Sequence, residues 1–394
     1  MLLWFLQQCS LIDASVADSL AKITLRASLA ALASFLLGVT LGPRMIRWLA
    51  ARFREPNHSP SRRIEKLHAG KHHTPTMGGL FLVMAIIGSA LVCGDLTNGY
   101  VLTALFALVG LTLVGMIDDL AKLSGRQRGV APRTKLAAQI ALAAVVALWL
   151  YRLHVDSHGP PLLHVPIGGA AVHLGLLFVP LAMLVIVATS NAVNLTDGLD
   201  GLAGGCLVFA TCGMGAVAYL AGHRELAEYL SMPHIAGSGE MVVLAGGMVG
   251  GLLGFLWFNC HPAQVFMGDT GSLPLGGMLA VLALVARQEL VLVLIGGVFV
   301  AEAVSVIAQV ISYRWRRRRV LLCAPLHHHF QFCGWPESRI VTRFWIAAAL
   351  CSILGLASLR LHIRPSSKAA VSPSLVGAVA SGSAEGQDLV SAVD

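Results

Sequence analysis

Leu174-Gly-Leu-Leu-Phe-Val-Pro-Leu-Ala-Met-Leu-Val-Ile-Val-Ala-Thr-Ser190 runs without a charge straight into Asn191-Ala-Val-Asn-Leu-Thr-Asp-Gly-Leu-Asp-Gly201. The first half is long and apolar enough for a membrane helix. The second half packs amides and carboxylates against its end, where ionisable groups are costly and therefore functional by default. Two other places repeat the pattern: Asp118-Asp119 ends one apolar run, and Asp269 lies in Phe266-Met-Gly-Asp-Thr-Gly271 ahead of another. Together they point to a charged ligand, a metal with phosphates, gathered at a membrane surface.

Composition agrees. The 394 residues are 56% hydrophobic and only 12% charged, about half the charge of an average soluble domain. A bilayer core of about 30 Å takes roughly 20 apolar residues per helix, and the apolar runs predict an all-α polytopic bundle of about ten membrane-spanning helices. These runs lie near 23–43, 77–93, 100–117, 136–152, 174–190, 202–221, 241–258, 272–286, 290–311 and 342–361. The second, third and eighth are short, and only Arg287, Gln288 and Glu289 separate the eighth from the ninth. Met1–Cys9 has neither a basic start nor a clear cleavage site, so the first span is expected to stay. The eight cysteines form no CxxC pair, which signals neither a zinc site nor a disulfide framework. Residues 1–364 are expected to form one transmembrane domain. The tail, 365–394, is rich in Ser, Ala, Gly and Val and reads as disordered.

Orientation follows from the basic residues. They gather between spans one and two (Arg44 to Lys71), after span three (Lys122 to Lys135) and after span nine (Arg314 to Arg319), and the opposite loops are poor in them. These loops are predicted to be cytoplasmic. The loops holding 191–201 and 259–271 carry no Lys or Arg, yet the span count puts them on the same face. The net charge of +8 suits anionic headgroups and phosphorylated substrates better than nucleic acid, and no nucleic-acid partner is expected.

Each motif has its own chemistry. Asp118, Asp119 and Lys122 make DDxxK; adjacent side chains on a helix diverge by about 100°, so the two carboxylates are predicted to play different parts. A solvated helix end is the bland alternative. Asn191 and Asn194 share a helical face, and Asp197 and Asp200 repeat the spacing across Gly198; such oxygens suit Mg²⁺ or grip sugar and base groups. Asp269, between glycines at a helix start, suits a metal-bound diphosphate. Lys71 and Thr74-Pro-Thr76-Met-Gly-Gly79 open span two as a phosphate cradle or an ordinary cap. In Pro325-Leu-His327-His328-His329-Phe330, phosphate binding or proton transfer is more plausible than zinc. The arginines at 316–319 read most simply as a topology signal and a lipid-headgroup contact. Glu302, Ser305 and Gln309 form a polar stripe inside span nine and read as an interhelical hydrogen-bond network.

These motifs in this order resemble the phospho-N-acetylmuramoyl-pentapeptide transferase family of the polyprenyl-phosphate N-acetylhexosamine-1-phosphate transferases. The resemblance runs from Gly42-Pro-Arg-Met-Ile46 through TPTMGG, DDxxK, NAVNLTDGLDGL, FLWFNCHPAQVFMGDTGSL, GGVFVAEAVSV and PLHHHF to Arg343-Phe-Trp345, nearly the whole chain except the tail. It implies a ten-helix bundle in the bacterial inner membrane with a cytoplasmic active site. It further implies Mg²⁺-dependent transfer of phospho-MurNAc-pentapeptide from UDP-MurNAc-pentapeptide to undecaprenyl phosphate, giving UMP and lipid I. By motif position, Asp118, Asp119, Asp269 and His327 look catalytic, with Asp269 and Asn194 at the metal. Lys71, Thr76, Lys122, Lys135, Asn191, Asn194, Asp197, Asp200, Asn259, Phe266, His328 and His329 look substrate-binding, Asn259 and Phe266 on the uridine side. Membrane lipids are expected partners, and a homodimer is a family-level expectation. His73 and Cys323 depart from the family pattern, and the tail is an extension; none removes a candidate catalytic group. A sister enzyme moving GlcNAc-1-phosphate would keep the carboxylates, but PLHHHF and PAQVFMGD favour the muramoyl branch. A secondary transporter would place its acids near span centres rather than at span ends.

Overall fold

The computed structural model describes residues 22–53, 74–123, 129–166 and 171–359. Lys71, His73 and the C-terminal tail lie outside the described residues. The helices are α1 (Ile23–Arg52), α2 (Gly79–Cys93), α3 (Gly99–Leu123), α4 (Pro132–His158), α5 (Phe178–Thr196), α6 (Leu202–Gly222), α7 (Arg224–Tyr229), α8 (Met241–Asn259), α9 (Asp269–Val285), α10 (Glu289–Ile295), α11 (Gly297–Arg316), α12 (Leu326–Phe332) and α13 (Glu337–Ser358). A two-stranded antiparallel hairpin, β1 (Leu162–His164) with β2 (Ala171–His173), is the only sheet among the described residues.

Every apolar run in the sequence has its helix. Eight are long and apolar enough to cross a membrane, while α2 and α9 are shorter apolar helices. The protein is an all-α, multi-pass membrane protein. Span three is longer than its apolar run implied: α3 continues through Asp118, Asp119 and Lys122 to Leu123, because the carboxylates and lysine satisfy one another instead of ending the helix. Span nine is broken at Gly296 into α10 and α11.

Close packing rests on small residues. Along α8, Gly246, Gly250 and Gly254 recur every four residues, and a β-carbon on any of them would press into the α1 backbone at Ala27, Ala31 or Phe35. Such a stripe lets two apolar helices approach where lipid gives no hydrophobic drive. α9 is buried on every side, between α3, α5 and α6.

At 15 and 17 residues, α2 and α9 rise about 22 and 25 Å, short of the hydrocarbon thickness. Their first turns abut, since a β-carbon on Gly79 would lie 2.2 Å from Gly271. The segments leading into them pair: Gly78 and Gly79 N–H donate to the Phe266 and Met267 carbonyls, and Phe266 N–H donates to Pro75. Two short helices thus start side by side, next to the carboxylates of α3.

At the other end of the bundle, Arg287 is not the loop charge its position between two spans suggested. It is 4% exposed, with Nε donating to His154 Nδ1 at 3.3 Å and one Nη donating to the Gly159 carbonyl. Tyr100 reaches the same His154 nitrogen. The basic side chain thus ties α4 to the end of α9.

Candidate active site

Two helices bring the carboxylates together. Asp118 and Asp119 end α3 and Asp269 starts α9, and one oxygen of each lies within 4.8 Å of the others. Helical geometry aims the adjacent pair differently. Asp118 Oδ1 accepts the Val130 N–H at 2.9 Å, and Oδ2 faces Lys122 Nζ at 3.0 Å and Lys135 Nζ at 3.3 Å. Asp119 turns to the N-terminus of α9, accepting the Asp269 N–H at 3.2 Å, the Thr270 N–H at 2.9 Å and the Thr270 hydroxyl at 2.7 Å. It supplies, from another helix, the acceptor that a helix start needs.

Gly268 makes this possible. Its φ of +71° lies in the left-handed region, and a β-carbon there would stand 2.7 Å from Asp119 Oδ2 and 3.1 Å from Thr76 Oγ1. Thr76 is thereby placed beside the cluster. Asp269 Oδ2 pairs with Lys135 and, at 3.1 Å, with Lys122. Its Oδ1 accepts from Asn194 Nδ2 at 2.7 Å, and the same amide nitrogen donates to Ser272 Oγ at 2.8 Å. With the amide oriented this way, Asn194 Oδ1 accepts no side-chain or backbone hydrogen bond among the described residues. Three carboxylates against two lysines leave one negative charge. Hard oxygen donors in this number fit a small divalent cation.

The motif from Asn191 to Gly201 divides. Asn194 joins the cluster, whereas Asn191 donates to Gln139 Oε1 at 2.7 Å and to the Val187 carbonyl at 2.8 Å. Asp200 turns away: its Oδ2 meets His261 Nδ1 at 3.2 Å and accepts the Ala263 N–H at 3.1 Å, while its own N–H donates to Glu337 Oε1 at 2.8 Å. Asn259, 3% exposed, bridges the Gly201 N–H and the Val265 carbonyl. Phe266 pairs through its backbone with the start of span two and keeps a half-buried ring. Asp200 and Asn259 thus hold the loops that carry Asp197 and Asp269.

Asp197 sits just beyond the last turn of α5. Burial pushes its carboxyl up to about 7, with the charges of Asp269, Asp119 and Asp200 pushing the same way against Lys122. Folding therefore favours the protonated form. Stability from this group is full below its ordinary value near 4 and falls as pH rises through about 7. In metal-stripped protein, unfolding temperature should drop across that window in the parent and less steeply in Asp197→Asn. Parallel curves for the two proteins would contradict the assignment.

The histidines reach the site from α12. His327 is 1% exposed and lies against the 191–201 turn, since a β-carbon on Gly198 would be 2.3 Å from its Nε2. Behind it, fully buried Glu302 of α11 accepts the Leu326 and His327 N–H groups at 2.8 and 3.1 Å, with His327 Nδ1 3.2 Å away. Glu302 is a cap for α12 as well as a partner for His327. His328 pairs with Gln331, and His329 Nδ1 accepts the Leu322 N–H, so both stand outside the carboxylate cluster's hydrogen bonds.

Gln139, Thr270, Ser272, His261 and Glu337 escaped the sequence reading. Glu337 had one usable signal, a carboxylate next to Pro336 at a helix start. The others are ordinary residues until the fold sets them beside a motif.

The pattern that defines Glycosyl transferase family 4 matches residues 101–287, which contain all three clustered carboxylates. Over 347 residues the chain is 44% identical to a phospho-N-acetylmuramoyl-pentapeptide-transferase of Desulfosudis oleivorans, covering 86% of this chain and 94% of that one. Over 344 residues it is 44% identical to the protein of the same name from Solidesulfovibrio magneticus, with the same coverage. With identity of that extent over most of both chains, the chain belongs to the phospho-N-acetylmuramoyl-pentapeptide transferase family.

Proposed function

We propose that the protein transfers phospho-MurNAc-pentapeptide from UDP-MurNAc-pentapeptide to undecaprenyl phosphate at the cytoplasmic face of the bacterial inner membrane. The observation that carries this reading is the cluster of Asp118, Asp119 and Asp269 threaded by Lys122 and Lys135. A phosphate oxygen of the lipid attacks the phosphorus next to the sugar. The bond from that phosphorus to the bridging oxygen breaks, and UMP leaves. Such a transfer needs charge neutralisation and in-line positioning more than covalent machinery.

Asp269, with Asn194 Oδ1, is the proposed holder of Mg²⁺, which neutralises diphosphate charge when bound. Asp118 keeps one face toward the lysines and is the proposed acceptor of the lipid phosphate's proton. Lys122 and Lys135 exchange carboxylates for phosphate oxygens. Asp119 orients α9, so that Asp269 and the lysines stay in register. Lys71 and Thr76 on the phosphate side, and Asn191, Asp197, Phe266 and His327 to His329 on the nucleotide-sugar side, complete the proposed binding surface, and Asp200 and Asn259 support it by holding its loops.

The lipid partner has support of its own. An apolar groove of ≈ 250 Å³ runs between α5 and the α10–α11 pair, lined by Leu184, Ala188, Ala192, Val293, Phe299 and Val300 among others. It suits an isoprenoid chain. The abutting starts of α2 and α9 are the proposed meeting place of a phosphate at headgroup level with a nucleotide from the aqueous side.

Release of UMP from UDP-MurNAc-pentapeptide with added polyprenyl phosphate tests the reading. It should require Mg²⁺. No release, with Asp269→Asn indistinguishable from the parent, would refute it.

A further inference from the structure

Past the carboxylate cluster, α11 ends in Tyr313-Arg-Trp-Arg-Arg-Arg-Arg319, which the transfer reaction does not use. Val304, Ile307, Ile311 and Trp315 follow one another at spacings of three, four and four, one face of a helix. They are 54%, 56%, 45% and 83% exposed. An apolar stripe on a membrane helix faces lipid, and a tryptophan at its end marks the interface with headgroups. Arg314 and Arg316–Arg319 surround that tryptophan, all exposed. Among the described residues none of these five guanidinium groups forms an ion pair.

The arginines do not trail away from the helix. Arg317 ends α11 in the left-handed region at φ 54°, and α11's own side chains take back the chain that follows. Ser312 Oγ donates to the Arg318 carbonyl at 2.9 Å. Gln309 Oε1 accepts the Val320 and Leu321 N–H groups at 3.0 Å each, and its Nε2 donates to the Leu321 carbonyl at 3.1 Å. Gln309, one of the three residues of the polar stripe read as an interhelical network, is therefore a clamp on a basic turn. Five positive charges are held together around one interfacial tryptophan.

We propose that this turn is a seat for anionic phospholipid headgroups of the adjoining leaflet. Guanidinium groups match phosphodiester oxygens in geometry as well as charge. Each basic residue near such a surface adds about 1 kcal/mol of attraction. The seat also bears on the histidines, because the Leu322 N–H that follows the clamp donates to His329 Nδ1.

The test uses the full-length protein in nanodiscs of phosphatidylcholine with and without phosphatidylglycerol, counting by native mass spectrometry the lipids retained after the disc is stripped. The parent should retain phosphatidylglycerol in at least fivefold preference. R316Q/R317Q/R318Q/R319Q should lose that preference, and the matching four-lysine variant should keep most of it. Equal retention of the two lipids by the parent overturns the proposal, even if the glutamine variant fails to reconstitute. So does unchanged retention in a reconstituted glutamine variant. A raised donor KM in that variant with lipid retention intact would mean that the turn recruits nucleotide instead. The lipid count needs no turnover, so its failure leaves the proposed reaction untouched.

Discussion

Asp269→Asn should cut UMP release by about three orders of magnitude, the scale seen when a charge that stabilises transferring groups is removed. Asparagine keeps the size of the side chain, and the Asp269 N–H that Asp119 accepts is backbone and survives. The start of α9 should therefore stay in place, and the unfolding temperature in detergent should move little. What changes is charge. Two carboxylates against two lysines make the cluster neutral, and Lys122 and Lys135 lose one of the two carboxylates they share, keeping Asp118. The apparent Mg²⁺ requirement should rise as turnover falls. Turnover within tenfold of the parent at saturating Mg²⁺ would remove Asp269 from the metal.

Asp119→Ala should fail differently, losing fold and activity together. Its carboxylate accepts two buried backbone N–H groups and the Thr270 hydroxyl, and leaving a buried donor unpaired costs about 1–3 kcal/mol each. The unfolding temperature should fall by several degrees, and turnover should drop because α9 no longer holds Asp269 against Lys122 and Lys135. Asp119→Asn retains one acceptor oxygen and should fall between. Asp118→Asn is the control: it caps no helix, so turnover should fall with thermal stability nearly retained. A stable Asp119→Ala protein would refute the capping role.

The contrast between these two aspartates marks what the sequence made legible. Long apolar runs between polar breaks located the spans, because burial in lipid demands nearly unbroken hydrophobicity. The DDxxK spacing announced two carboxylates pointing apart. Nothing local said which would face α9, since that depends on Asp269 and Thr270, some 150 residues away in the chain. Separations of 52 and 137 residues likewise hid Gln139 behind Asn191 and Glu337 behind Asp200. Arg287 looked like a loop charge because one basic residue between apolar runs reads the same whether it faces water or His154. The break at Gly296 was hidden too, as two adjacent glycines in an apolar run are equally at home in a packed helix. Glu302 was seen as structural, but its partner, the start of the histidine helix α12, lies beyond the arginine turn.

One consequence of Lys122 touching all three carboxylates concerns the order of events in solution. A divalent cation and a lysine ammonium compete for the same oxygens, so each weakens the other's hold. A diphosphate that draws Lys122 and Lys135 toward itself relieves that competition and raises affinity for the cation. By thermodynamic reciprocity, the cation must raise affinity for the diphosphate by the same factor. On the proposed reading, nucleotide and metal are then mutual effectors, coupled through the side chains of Lys122 and Lys135.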